Sequence, residues 1–66
     1  MNVIVNGIVK EFQEGIDLEA LIQVLGLDDK VMAAALNMEI VKKENWSTCK
    51  LYEDDKVELL DFVGGG

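Results

Sequence analysis

Three consecutive glycines, Gly64-Gly65-Gly66, follow the last apolar run of the chain, and the reactive group they bring is not a side chain. Read as a free terminus, Gly66 presents an α-carboxylate at the end of a tail without Cβ atoms. Such a tail extends into channels too narrow for any other residue, because glycine alone permits unhindered backbone approach. A carboxylate presented in this way is a substrate for another enzyme. The plain alternative is a frayed end, since chain termini are commonly disordered and tolerant of change.

The rest of the residue inventory excludes most other chemistry. The sequence has no His, no Arg and no Pro. Without His it has no base that titrates near neutral pH and no imidazole metal ligand. One Cys with scattered carboxylates is not a zinc site, so no metal site is expected. Neither a Ser-His nor a Cys-His pair exists for nucleophilic catalysis. The only glycine cluster has no helix after it, so no phosphate-cradling loop is present. The chain is expected to be no enzyme by itself and to bind no cofactor of its own.

Composition narrows the class further. Sixty-six residues make one domain, and a chain of this size buries only about 60% of the surface that its unfolded form exposes. Half of the residues are hydrophobic, which argues for a folded chain. A net charge of −7 argues against nucleic-acid binding, which depends on Lys and Arg neutralising phosphates. It suits a partner with a positive docking surface. Cys49 is the single cysteine, so no intramolecular disulfide forms, and it reads as a small buried hydrophobe, with a redox or sulfur-relay role as the alternative. No segment approaches the ~20 apolar residues of a membrane helix, and Val3 to Val5 is too short and lacks the basic flank of a signal peptide. A cytoplasmic protein, monomeric when free, is expected.

The elements that must position the tail are legible from periodicity. Asn2 to Val5 is a β-branched strand, Asn6-Gly7 is a strong two-residue hairpin signal, and Ile8 to Phe12 returns as a second strand. Lys10 interrupts the apolar face shared by Ile8 and Phe12. Asp17 is placed as the N-cap of a helix whose residues Leu18, Leu21, Ile22 and Leu25 form one apolar stripe. Gly26 sits where a helix ends in a left-handed residue. Met32 to Leu36, whose alanines would also suit a second helix, is read from its length as a buried strand. Ile40-Val41 is read as a short return strand, and Lys42 to Ser47 as an irregular or single-turn segment with Trp46 tucked against the core. Thr48 to Tyr52 is read as a brief edge strand, Glu53 to Lys56 as a polar turn, and Val57 to Val63 as the last strand.

This order predicts an α+β architecture, a mixed sheet of four to five strands with one main helix packed on one face. The last strand is expected centrally, beside the first and parallel to it. Residues 1–63 then form the domain and residues 64–66 a flexible glycine tail. Alternation along the last strand turns Val57 and Leu59 toward the helix and leaves Glu58, Leu60 and Phe62 on the opposite face. Leu60 and Phe62 are therefore a candidate docking surface beside the tail. The competing reading folds Phe62 back over the sheet edge to complete the core.

With these residues placed, the chain resembles the β-grasp, ubiquitin-like sulfur carriers of the ThiS type, which serve thiamin biosynthesis. The resemblance covers essentially the whole chain. It rests on the opening Met1-Asn2-Val3-Ile4-Val5-Asn6-Gly7, on Glu14-Gly15 before the helix, and on Ala35-Leu36-Asn37 followed by Ile40-Val41 and Trp46. It closes on Val57-Glu58-Leu59-Leu60 running into Gly65-Gly66. Lys42-Lys43 and Asp54-Asp55 depart from the family's frequent Pro-Arg and Gly-Asp, both in loops.

The resemblance implies a role for each part of the tail. The Gly66 carboxylate would be adenylated by an E1-like adenylyltransferase using MgATP. Sulfur from a cysteine desulfurase persulfide would convert it to a thiocarboxylate, and thiazole synthase would receive that sulfur. Gly64 and Gly65 would thread into the partner sites. Two relatives of the same chemistry stay open at this point: the sulfur-carrier subunit of molybdopterin synthase, and a ubiquitin-like protein modifier.

Overall fold

Asn6 and Gly7 take φ of 49° and 84°, the left-handed pair that a two-residue type I′ turn requires. They join β1 (Asn2–Val5) to β2 (Ile8–Glu11), with Val5 opposite Ile8 and Asn2 opposite Glu11. The structure is a computed structural model and describes residues 1–61. Phe62, Val63 and the Gly64 to Gly66 tail lie outside the described residues, as does any boundary between domain and tail.

The helix forms where its cap and stripe predict. The Asp17 side chain accepts a hydrogen bond from the Ala20 amide at 2.8 Å, opening α1 (Leu18–Val24). Gly26 follows at φ 73°, the left-handed residue past the helix end. Leu18, Leu21 and Ile22 are fully buried against the sheet. Each contributes on the order of 1.5–3 kcal/mol relative to an exposed position.

Three further strands complete the sheet: β3 (Val31–Leu36), β4 (Glu39–Val41) and β5 (Lys56–Asp61). Their order is β2-β1-β5-β3-β4. The strand latest in sequence is thus central, parallel to β1 through Ile4↔Lys56 and Val5↔Val57 and antiparallel to β3 through five pairs from Val31↔Asp61 to Leu36↔Val57. Val3, Val5, Ala34, Val57 and Leu59 face the helix and form one core with it. The chain has the five-stranded mixed sheet and single packed helix expected of it.

Two details differ from the sequence reading. Thr48 to Tyr52 is not an edge strand. Lys43–Thr48 winds as a 3₁₀ segment that takes in Thr48, and the following stretch makes only an isolated bridge, Lys50 with Asp17. The physical reason lies in Trp46, which is 3% exposed and donates its indole N–H to the Val41 carbonyl at 2.9 Å. Seating that ring winds the chain toward the helix and away from the sheet. The β3–β4 connection is also tighter than its residues suggest: Asn37 and Met38 both adopt positive φ, 49° and 74°. Lys10 is exposed, as are Ile8 and Val9 beside it, while Phe12 just past the strand is buried. No helix among the described residues is long and apolar enough to cross a membrane.

Candidate functional site

The second face of the sheet is the site's foundation, because no described helix covers it. Leu60 stands on that face, 62% exposed, while its neighbour Leu59 is buried on the helix side. Across the strand pairs, Ala33 lies opposite Leu60, Ala35 opposite Glu58, and Ile40 opposite Ala35. The result is a shallow apolar groove with an alanine floor. Ile40, itself 73% exposed, forms one wall and Leu60 the other, and Asn6 and Glu58 also line it. Alanine is a poor strand former, and two small side chains between two large ones leave room for a partner's side chain.

Polar side chains hold β5 at both ends of this groove. At its start, the Asn37 amide nitrogen donates to Asp55 at 3.1 Å while its Oδ1 accepts from the Lys56 backbone at 3.0 Å. The second Asp55 oxygen accepts from the Tyr52 amide at 2.8 Å, so the loop before the strand is closed on itself. Further on, Asn6 Oδ1 accepts from the Leu59 amide at 2.8 Å, and the Asn6 amide donates to the Val57 carbonyl at 2.9 Å. These contacts fix β5 from Lys56 to Leu59 against the turns on either side of it.

Of the residues singled out from sequence, Leu60 is at the groove, and Phe62, Gly64, Gly65 and Gly66 lie outside the described residues. Ala33, Ala35, Ile40 and Asn6 were missed. Val31 to Leu36 is apolar throughout, so its pattern does not say which residues face out. Asn6 was read only as a turn former. A cue was available in the three successive alanines, a weak choice for a strand.

Cys49 does not join the groove. It is half-buried behind the 3₁₀ segment, and burial, then the Asp55 and Asp17 carboxylates, push its thiol above the ordinary range. A thiol so placed is a poor nucleophile at neutral pH. Among the described residues no cluster of three or more His, Cys, Asp or Glu is arranged to hold a metal ion.

The sequence model of the ThiS family matches residues 3–66. Among curated proteins, the chain is 35% identical over its whole length to a thiazole synthase of Paramagnetospirillum magneticum, and 32% identical to one of Magnetococcus marinus. It spans only 20% of the length of either of these relatives. It is also 38% identical over 40 residues to the sulfur carrier protein ThiS of Bacillus subtilis, an overlap of 61% of both chains. Among solved structures, it superposes on the crystal structure of the thiamine biosynthesis protein ThiS from Geobacter metallireducens with a TM-score of 0.81 at 28% identity, over the whole of both chains. The solution structure of a thiamine biosynthesis protein from the same organism gives 0.81 at 29% identity, over all of this chain and 88% of that one.

Proposed function

The chain belongs to the ThiS family, and from that premise we propose that it is a sulfur carrier of thiamin biosynthesis, loaded at the Gly66 carboxylate. The observation that carries this reading is the match to the family along the whole domain and into the glycine tail, residues 3–66. The shared fold with ThiS of Geobacter metallireducens supports it. The thiazole synthases that include a similar segment support that enzyme as the acceptor.

The chemistry follows from what a carboxylate lacks. It is anionic and has no good leaving group, so it does not acylate sulfur unaided. An E1-like adenylyltransferase would join it to the AMP portion of MgATP and release pyrophosphate. AMP is then the leaving group. The terminal sulfur of a cysteine desulfurase persulfide attacks the acyl carbon, expels AMP and forms an acyl disulfide. A thiol cleaves that disulfide and leaves the thiocarboxylate. Thiazole synthase takes the sulfur and the carboxylate returns for another cycle.

This chain's own contribution is presentation. Gly64 and Gly65 let the tail enter both partner sites in extended form. Leu60, with Phe62, would dock the domain so that the tail reaches them, the groove beside Leu60 receiving an apolar side chain of the partner. The acidic surface, net −7, suits a partner with a basic rim. A carrier of this kind has no catalytic residue, works as a monomer in the cytoplasm and leaves the nucleotide to its partner.

Intact-protein mass spectrometry tests the proposal. The protein is incubated with MgATP, the adenylyltransferase, a desulfurase, cysteine and a thiol. A mass gain equal to oxygen replaced by sulfur, lost on deletion of Gly66, is expected. Conjugates to other proteins in place of that species would identify a modifier. Sulfur passed to molybdopterin synthase but not to thiazole synthase would identify the other carrier pathway.

A further inference from the structure

Asn6 occupies an unusual junction. Pairing between β1 and β5 ends at Val5↔Val57, yet β5 continues to Asp61. The last part of β5 therefore outruns its parallel neighbour. On the other side its pairing to β3 shifts register between Val31 and Ala33, which face Asp61 and Leu60. A register shift interrupts the ladder locally. The segment that leads to the tail is thus bordered by an irregular ladder on one side and by a hairpin turn on the other.

Asn6 fills the gap on the hairpin side. At φ 49° it has already left the strand, so its backbone supplies one bond, the 2.9 Å donation to the Val57 carbonyl. Its side-chain oxygen then reaches the Leu59 amide at 2.8 Å, at the place where the next backbone carbonyl of a longer β1 would have been. The same residue lines the groove whose wall is Leu60. One side chain therefore links the hairpin, the last rungs of β5 and the uncovered face.

The geometry points to Asn6 as a positioning residue: its side-chain oxygen pins β5 at Leu59 and so preorganises Leu60 for the activating enzyme. This rests on the carrier reading above. The Asn6–Gly7 pair serves two purposes, a turn and a pin, and only the turn can be met by other residues without an acceptor. If the pin is removed, the segment samples several arrangements. Only a fraction of molecules is then competent to dock, and apparent affinity falls by that fraction.

Asn6→Gly separates the purposes, because a Gly-Gly pair also forms type I′ turns but offers no acceptor. Amide hydrogen exchange and steady-state ATP–pyrophosphate exchange with the adenylyltransferase are measured on wild type, Asn6→Gly and Asn6→Asp. In the glycine variant the Leu59 amide exchanges about tenfold faster relative to that of Val57, as expected when a single hydrogen bond is lost. The KM for the carrier rises about five- to tenfold while kcat is unchanged. Asn6→Asp, which keeps an acceptor and tolerates the left-handed turn, restores both values. A general loss of stability would speed all amides together and leave KM unmoved while the domain remains folded. Unchanged Leu59 exchange in Asn6→Gly overturns the pin, and faster exchange with wild-type KM overturns its positioning role. Wild type that supports no pyrophosphate exchange would overturn the carrier reading instead, and the Leu59 amide would still report on the pin.

Discussion

Ala33 and Leu60 face each other across the β3–β5 pair on the side of the sheet that the helix does not cover. A methyl group opposite an exposed leucine leaves that leucine standing above the floor of the groove. Leu60→Asp is therefore expected to raise the KM for activation about tenfold or more, since apolar anchors at an interface commonly cost upward of 1 kcal/mol when lost. Stability should shift by only about 0.5 kcal/mol, the usual range for surface positions. Kinetics of pyrophosphate exchange with a parallel urea titration checks both. A large fall in stability would place Leu60 in the core and end the docking assignment.

A residue added after Gly66, including a purification tag, is expected to abolish sulfur acceptance while leaving the thermal midpoint unchanged. The adenylate needs a free glycine carboxylate, and an added side chain does not follow the glycines into a narrow channel. Mass spectrometry that finds sulfur on a tagged chain would sink the assignment of Gly66.

Met38 sits at φ 74° at the tip of the β3–β4 hairpin, 85% exposed. A left-handed backbone costs a residue with a Cβ roughly 1–2 kcal/mol, and the exposed methionine recovers little by burial. Met38→Gly should stabilise the domain by about 0.5–1 kcal/mol, after the greater freedom of glycine in the unfolded chain is set against the relief. Chemical denaturation would read the gain, and a loss would mean that Met38 makes a contact its exposure does not suggest.

Trp46 gives the opposite expectation. Its indole N–H is bonded to the Val41 carbonyl and its ring is buried. Trp46→Phe should cost about 1–3 kcal/mol, from the carbonyl left without its donor and the volume removed. Trp46→Ala should cost about 3–5 kcal/mol and threaten folding at this chain length. Fluorescence is lost with the residue, so circular dichroism is the measurement to use.

The Cys49 thiol is held above its ordinary value by burial first and by Asp55 and Asp17 second. Less thiolate is then present near neutral pH, so iodoacetamide should modify the folded protein more slowly than a free cysteine peptide, with the rate climbing in alkaline solution. The linkage has a definite sign. A thiol whose folded value is raised favours the fold below its unfolded titration, and that contribution is lost as pH rises through the folded value. Cys49→Ala should remove this alkaline decline from a stability–pH profile.

How far the fold was legible depends on how many signals agreed at each place. At the helix, Asp17, the stripe of Leu18, Leu21 and Ile22, and Gly26 all point one way, and the element lies where they put it. At Asn6-Gly7 the turn chemistry alone decides. From Val31 to Leu36 the residues are apolar on both faces, so no alternation marks Met32 as exposed or the register shift beside it. Met38 carries no turn signal at all, and the turn forms because strand pairing on either side outweighs its local preference. Thr48 to Tyr52 has strand-like residues, but the seating of Trp46 is a tertiary requirement that local pattern does not contain. At the site, alternation was enough to turn Leu60 outward. The alanine floor and Asn6 are contributions from β3 and β1, and only the register brings them to β5.

The central position of β5 also governs the order in which the molecule can assemble. Two hairpins and a helix precede it on the ribosome, yet β1 and β3 have no common neighbour until β5 lies between them. Most of the sheet therefore waits on contacts between distant parts of the chain, the kind that close slowly. A nascent chain lacking residues 56–61 has no completed core, because Val57 and Leu59 belong to it. The strand that leads to the glycines is thus also the one that joins the two hairpins into a single sheet, and a chain that stops short of it leaves them unconnected.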